Sequence, residues 1–235
     1  MIDLNVRGSS YENNIELAAE ALKYGWNHIN FSYNQNDYAD AIDFKKDLNS
    51  CFEGDIGIDF TLEIKSNNVS EIRKLVKRFR KKSSCISVVG GDLKINRAVL
   101  ENVQIDVLSQ PYLKRYDAGI NHVLAKEAVR NNVAIELSFR DVLKSYLAHR
   151  SKVLSNFNDI YTLYRKYDFP LVLSSGAKSV FDLRTVNDFR AFFIQTGLHE
   201  EEVEKSFATA SDILKFNESR DKMILQGVRR VDDEA

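Results

Sequence analysis

The chain has 235 residues, which suits one large α/β domain. Its 33 lysines and arginines nearly balance 34 aspartates and glutamates, the formal net charge is −1, and 44% of residues are hydrophobic. That composition excludes a disordered chain, and no apolar run approaches the roughly 18 residues of a membrane span. The opening stretch MIDLNVRGSS has no basic n-region followed by an apolar h-region, so no secretion signal is expected. Cys51 and Cys85 stand alone, without zinc or disulfide spacing, and a reducing cytoplasm is the expected compartment. The near-zero total conceals a gradient: residues 1–70 are net −7, residues 71–190 net +10 and residues 191–235 net −4. A basic middle between acidic ends points to an anionic partner with a defined docking face.

Strand and helix patterns alternate along the chain. Ile2 to Val6 alternates with period two, as a strand does. A helix is expected from about Ser10, with Gly25 past its end. His28 to Tyr33 alternates again. A helix is expected over about 38–48, then the clearest strand, with Ile56, Ile58, Phe60, Leu62 and Ile64 on one side. Ser70 is the expected cap of the next helix, whose stripe is Ile72, Leu75, Val76 and Phe79. Cys85 to Val89 reads as a strand ending at Gly90-Gly91, and 96–102 as a helix. Ile105 to Ser109 is a fifth strand, Asn121 caps a helix to Arg130, and Val133 to Phe139 is a sixth strand. A long helical region covers about 142–167, and Leu171 to Ser174 is the seventh strand. Beyond about Ser179 the pattern is helical, with Val203, Phe207, Ala210 and Leu214 on one stripe.

Seven strands each followed by a helical stretch imply parallel pairing and right-handed crossovers. The expected fold is an α/β, TIM-barrel-like parallel (βα) barrel, seven-stranded and incomplete, with extra C-terminal helices. One domain is expected over 1–228, followed by a frayed acidic tail at 229–235.

In such a barrel, chemistry sits at the C-terminal ends of the strands. Polar residues near those ends include Asp3, Asn5, His28, Asn30, Asp59, Glu63, Glu136, Ser138, Ser174 and Ser175. The four histidines form no paired ligand motif, and no P-loop, G-x-S-x-G or G-x-G-x-x-G occurs. The cations say more. Residues 73–82 read RKLVKRFRKK, and their seven cations are expected on the face away from the apolar stripe. No acidic partner four residues away neutralises them within the run. Further cations recur after the strands, interleaved with Phe79, Tyr112, Tyr116, Phe139 and Tyr146. Cations beside stacking groups suit the backbone and unpaired bases of RNA.

Three blocks are more specific than charge: VVGGDLKINRAVLEN, DVLSQPYLKRYDAGINHVLAKEAVRNNVAIELSFRDVL and LVLSSGAKSVFDLR. Together they resemble the ribonuclease P protein component 3 family of archaea, over Met1 through at least residue 215. The resemblance implies a protein subunit of the ribonucleoprotein that removes 5′ leaders from precursor tRNA. The RNA subunit would carry the Mg²⁺ and the hydrolysis, with no cofactor, metal or catalytic residue on the polypeptide itself. Implied partners are the ribonuclease P RNA, ribonuclease P protein component 2 and other protein subunits, with precursor tRNA as substrate and no membrane. The residues expected to touch RNA are Lys94, Arg97, Arg115, His122, Lys126, Lys178 and Arg184. Lys74, Lys77, Arg78, Arg140 and Lys144 are secondary candidates.

The family is also distantly related to metal-dependent barrels of the polymerase and histidinol phosphatase type. Where those carry H-x-H and D-x-H, this chain has Asp3-Leu4-Asn5 and Gly176-Ala177-Lys178. A lysine repels a divalent ion. A stand-alone phosphoesterase is therefore the alternative reading, with a weak ion at Asp3 and Glu63 left open.

Overall fold

Seven strands lie side by side in sequence order, all parallel: β1 (Ile2–Arg7), β2 (His28–Asn34), β3 (Gly57–Ile64), β4 (Cys85–Val89), β5 (Val107–Ser109), β6 (Ala134–Ser138) and β7 (Leu171–Ser174). The computed structural model describes residues 1–220 and two short strands beyond, β8 (Met223–Leu225) and β9 (Val228–Arg229). These two pair antiparallel, apart from the barrel sheet, and were not anticipated from the sequence. The expected tail at 229–235 lies outside the described residues except for Arg229.

Helices cover the outside of the sheet: α1 (Tyr11–Lys23), α2 (Tyr38–Asp43), α3 (Lys45–Ser50), α4 (Val69–Phe79), α5 (Leu93–Leu100), α6 (His122–Asn131), α7 (Phe139–Leu143), α8 (Leu147–Tyr167), α9 (Val186–Gln195) and α10 (Glu200–Glu218). The strand alternation sorts the two faces. Ile29, Phe31, Phe60, Leu62 and Ile64 are buried in the apolar layer between sheet and helices. Each contributes about 1.5–3 kcal/mol by leaving water. The opposite face lines the barrel.

The barrel closes without an eighth strand. Between β1 and the segment after β7, Arg7 N donates to Ala177 O (2.7 Å) and Gly176 N to Asn5 O (2.9 Å). Helix α10 packs along β7 and β1. Its Ala210, Ile213 and Leu214 join Leu4, Cys85, Val107, Ala134 and Val172 in a second core inside the barrel. Pairing of β1 with β2 shifts register between Asp3 and Val6. That irregularity lets consecutive residues serve the interior, Leu4 in this core and Asn5 in the polar layer above it.

Several boundaries differ from the sequence reading for local reasons. The helix expected over 38–48 splits at Phe44, whose ring packs edge-on to Tyr11, Tyr33 and Phe60. Asn68, not Ser70, caps α4, accepting from Ser70 N (2.9 Å) and Glu71 N (3.4 Å). Asp92 starts α5 three residues early by accepting from Lys94 N and Ile95 N. The helical region at 142–167 breaks between α7 and α8, and Phe139 already belongs to α7.

Candidate nucleic-acid interface

The upper barrel interior is polar. Glu136 on β6 accepts from Asn5 Nδ2 (2.7 Å) and from Ser174 Oγ. Arg7 pairs with Glu63. Asp141, at the start of α7, accepts from Tyr112 OH (2.6 Å) and Gln110 Nε2 (2.5 Å). Burial pushes the Asp141 carboxyl up against those bonds, and burial beside Asp141 pushes the Tyr112 phenol well up. These contacts make the mouth a braced polar plug. Arg7 and Gln110 were not singled out from the sequence, and Tyr112 was read there as an aromatic among the loop cations, because only the closed barrel brings the three to their carboxylates.

Asp3 is fully buried, and both its oxygens accept Ser175 N at 3.2 Å; Oδ1 also accepts Asn5 N at 3.1 Å. It stitches β1 to the segment after β7. Burial raises its pKa from the usual 3.8 to about 6. The folded state therefore favours the protonated carboxyl. The associated stability is complete below the unfolded pKa and is lost as pH rises from there through about 6. The window is worth on the order of 3 kcal/mol. Asp3→Asn is expected to flatten the stability curve across that window, measured by urea unfolding at a series of pH values. A variant curve parallel to the wild type would remove Asp3 as its source.

Two polar residues grouped with the mouth belong elsewhere. His28 and Asp59 begin β2 and β3, at the N-terminal end of the barrel, where Asp59 meets Lys45, Ser84 and His28. Among the described residues, no group of three or more His, Cys, Asp or Glu side chains is arranged to hold a metal ion.

The cations divide into free and engaged. On α4, Lys74, Lys77 and Arg78 are exposed, with the Arg78 guanidinium 5.0 Å from the Phe79 ring. Arg80 corrects the expectation for its run. The helix ends at Phe79, and the turn after it swings Arg80 inward, 7% exposed, onto Asp106 at 2.6 Å. On α5, Lys94 is exposed and Arg97 pairs with Glu101 one turn on, at 2.7 Å. His122 and Lys126 are exposed on the first turns of α6. Asn121 does not offer its side-chain oxygen outward, because that oxygen caps Val123 N and Leu124 N at 3.0 Å. Asn131 Nδ2 donates to Leu100 O (2.8 Å), tying α6 to α5. Helices α4, α5 and α6 thus form one continuous cationic flank.

At the mouth, Arg115 is clamped by Asp117 (Nε–Oδ1 2.6 Å, Nη2–Oδ2 2.8 Å) and by Gly91 O (3.2 Å). That holds it beside the start of α5. Arg140 (2.6 Å) and Lys144 (2.9 Å) share Asp182, which also accepts Lys178 N (3.2 Å). Although burial acts upward on Asp182, these donors hold its carboxyl below the usual range. Lys178 itself is exposed. Arg184 does not present an open fork: Nη1 donates to Phe181 O (2.8 Å) and Leu183 O (2.6 Å), and the guanidinium lies 5.6 Å from the Phe139 ring. The acidic third of the chain lies elsewhere, with Glu12, Glu16, Asp40, Asp43 and Asp47 exposed on α1, α2 and α3.

The family model described as RNase P subunit p30 matches residues 1–222. Ribonuclease P protein component 3 of Methanothermobacter thermautotrophicus is 40% identical over 232 residues, covering 97% of this chain and 94% of the relative. A chain of the cryo-EM structure of archaeal ribonuclease P with mature tRNA is similar along its whole length and the whole of this chain, with TM-score 0.85 and 32% identity. A histidinol phosphate phosphatase from Lactococcus lactis, solved with zinc, L-histidinol and phosphate, reaches TM-score 0.56 at 12% identity. It covers 84% of this chain and 94% of its own, a likeness of fold alone.

Proposed function

The chain belongs to the RNase P subunit p30 family, and from that premise we propose that it supports the catalytic RNA of ribonuclease P during removal of 5′ leaders from precursor tRNA. The observation that carries this reading is the separation of charge around the barrel. Cations line the α4–α5–α6 flank and recur in the mouth loops, while exposed carboxylates occupy α1 to α3. Phosphates approaching the first surface are attracted, and those approaching the second are repelled, so the RNA docks in one orientation.

In this reading Lys94, His122, Lys126 and Lys178 meet RNA with free side chains. Arg97, Arg115 and Arg184 first exchange or share their present partners. An exposed ion pair such as Arg97–Glu101 is worth about 0–1 kcal/mol, so exchanging it for a phosphate costs little. The acidic flank faces a protein subunit, with component 2 as the expected neighbour. Mg²⁺ belongs to the RNA subunit, and the polypeptide binds no cofactor. The compartment is the cytoplasm.

Reconstitution tests the reading. At sub-saturating Mg²⁺, the chain together with component 2 and the RNA subunit is expected to accelerate precursor-tRNA cleavage, and alone to cleave nothing. A cleavage rate unchanged by adding the chain to RNA and component 2 would overturn it.

A further inference from the structure

The loop after β5 separates two basic cavities. One, of about 220 Å³, lies between this loop and the start of α8, and its walls include Lys114, Arg115, Lys144, His149, Lys152 and Asn156. The other, of about 380 Å³, lies on the far side and is shared with Lys65, Gly90 and Gly91. Lys114 and Arg115 line both. We propose that the cavity against α8 holds a phosphate and the adjoining ribose of a single RNA strand, whose next phosphate lies across the loop.

The proposal rests on the ribonuclease P reading and deepens it by placing a nucleotide. Three observations carry it. First, two cations of this cavity are available, while Arg115 and Lys144 are held at its walls by Asp117 and Asp182. Lys114 and Lys152 form no salt bridge among the described residues, and the one carboxylate lining the cavity, Asp141, is already bonded to Tyr112 and Gln110.

Second, Asn156 is 2% exposed, yet its Oδ1 has no hydrogen-bond partner. A buried amide oxygen without a donor is unfavourable, and beside a cavity it offers an acceptor to a ligand that brings one. Phosphate oxygens accept only, but a ribose 2′-hydroxyl donates. Asn156 Oδ1 beside lysines therefore matches a ribose–phosphate unit of RNA better than a free phosphate or DNA.

Third, the surroundings are built for a strand. Two cavities sharing two cations suit successive phosphates of one backbone. Tyr116, 92% exposed, follows Arg115, and Tyr146, 71% exposed, follows Ser145 in the wall of the cavity. Exposed rings next to a phosphate track are stacking platforms for unpaired bases.

The test uses the full chain with three probes: a short single-stranded oligoribonucleotide, the same sequence as DNA, and inorganic phosphate. Binding is read by fluorescence anisotropy across a salt series. The wild type is expected to prefer RNA to DNA. Lys114→Gln with Lys152→Gln is expected to weaken RNA binding about tenfold and to reduce the salt slope by about 0.7 for each lost phosphate contact. Asn156→Leu is expected to shrink the RNA-over-DNA ratio toward one. Lys23→Gln with Lys46→Gln removes the same charge from the acidic side and is the control. An unchanged slope and affinity in the Lys114/Lys152 variant would overturn the proposal, as would full displacement of RNA by inorganic phosphate at concentrations on the order of millimolar. Failure of the wild-type chain to stimulate precursor-tRNA cleavage would instead defeat the underlying reading. The two failures are therefore separable.

Discussion

Asp106→Ala is expected to destabilise the chain by about 3–5 kcal/mol, because it strands a buried guanidinium. Arg80 and Asp106 have side-chain exposures of only 7% and 6% and meet at 2.6 Å. The same Asp106 Oδ2 accepts Ile86 N at 2.7 Å, and Arg80 also donates to Ser83 O (3.0 Å) and Gln104 O (3.1 Å). The pair thus ties the turn after α4 to the starts of β4 and β5. Urea unfolding of the isolated chain reads the loss. A double variant, Arg80→Met with Asp106→Ala, removes the more deeply buried of the two guanidiniums on Asp106, the other being Arg220 with Nη2 3.4 Å from Asp106 Oδ1, and is expected to recover part of it. Buried pairs can often be replaced by apolar groups at little cost, even though removing one member is expensive. A single-variant loss below about 1 kcal/mol would mean that water reaches Arg80 and that the pair behaves as a surface bridge.

Arg80 also shows where a sequence stops being informative. The run 73–82 announces its cations, and the α4 stripe announces its buried face through Ile72, Val76 and Phe79. Nothing local says that the helix ends at Phe79, or that the partner of Arg80 stands 26 residues later. The seven strands were legible because their period of two, as in Ile58-Phe60-Leu62-Ile64, is a property of neighbours. Closure by α10 was not, since Ala210, Ile213 and Leu214 make an ordinary amphipathic stripe until the barrel interior receives them. The interface divides the same way. Arg97 and Glu101, four residues apart, could be paired on the page. Arg140 and Lys144 converging on Asp182, or Lys152 and Asn156 walling one cavity with Lys114 and Arg115, depend on contacts between distant segments.

Gly119→Ala is expected to damage the loop that bears Lys114 and Arg115, with a stability loss of at least about 2–3 kcal/mol. Gly119 has φ +70°, and a β-carbon there would stand 1.9 Å from Pro111 O and 2.9 Å from Asn96 Nδ2. Asn96 cannot move freely, because its amide donates to both Pro111 O (2.9 Å) and Gly119 O (2.7 Å) while its Oδ1 accepts Gly91 N (2.9 Å). One buried side chain therefore holds three loop segments together, and an added methyl group must push a backbone carbonyl out of place. Gly54→Ala separates the two causes. Gly54 also has positive φ, +93°, but nothing lies within 4 Å of its added β-carbon. It should cost only the left-handed backbone penalty of about 1–2 kcal/mol. The excess at Gly119 measures the close approach. The same variant is expected to weaken RNA binding more than Gly54→Ala does, because Pro111 and Gly119 are the two ends of the loop that displays the cations. Equal losses of stability and of RNA affinity in the two variants would show that the loop tolerates the methyl group. They would also show that the cations are held in place by something other than this glycine contact.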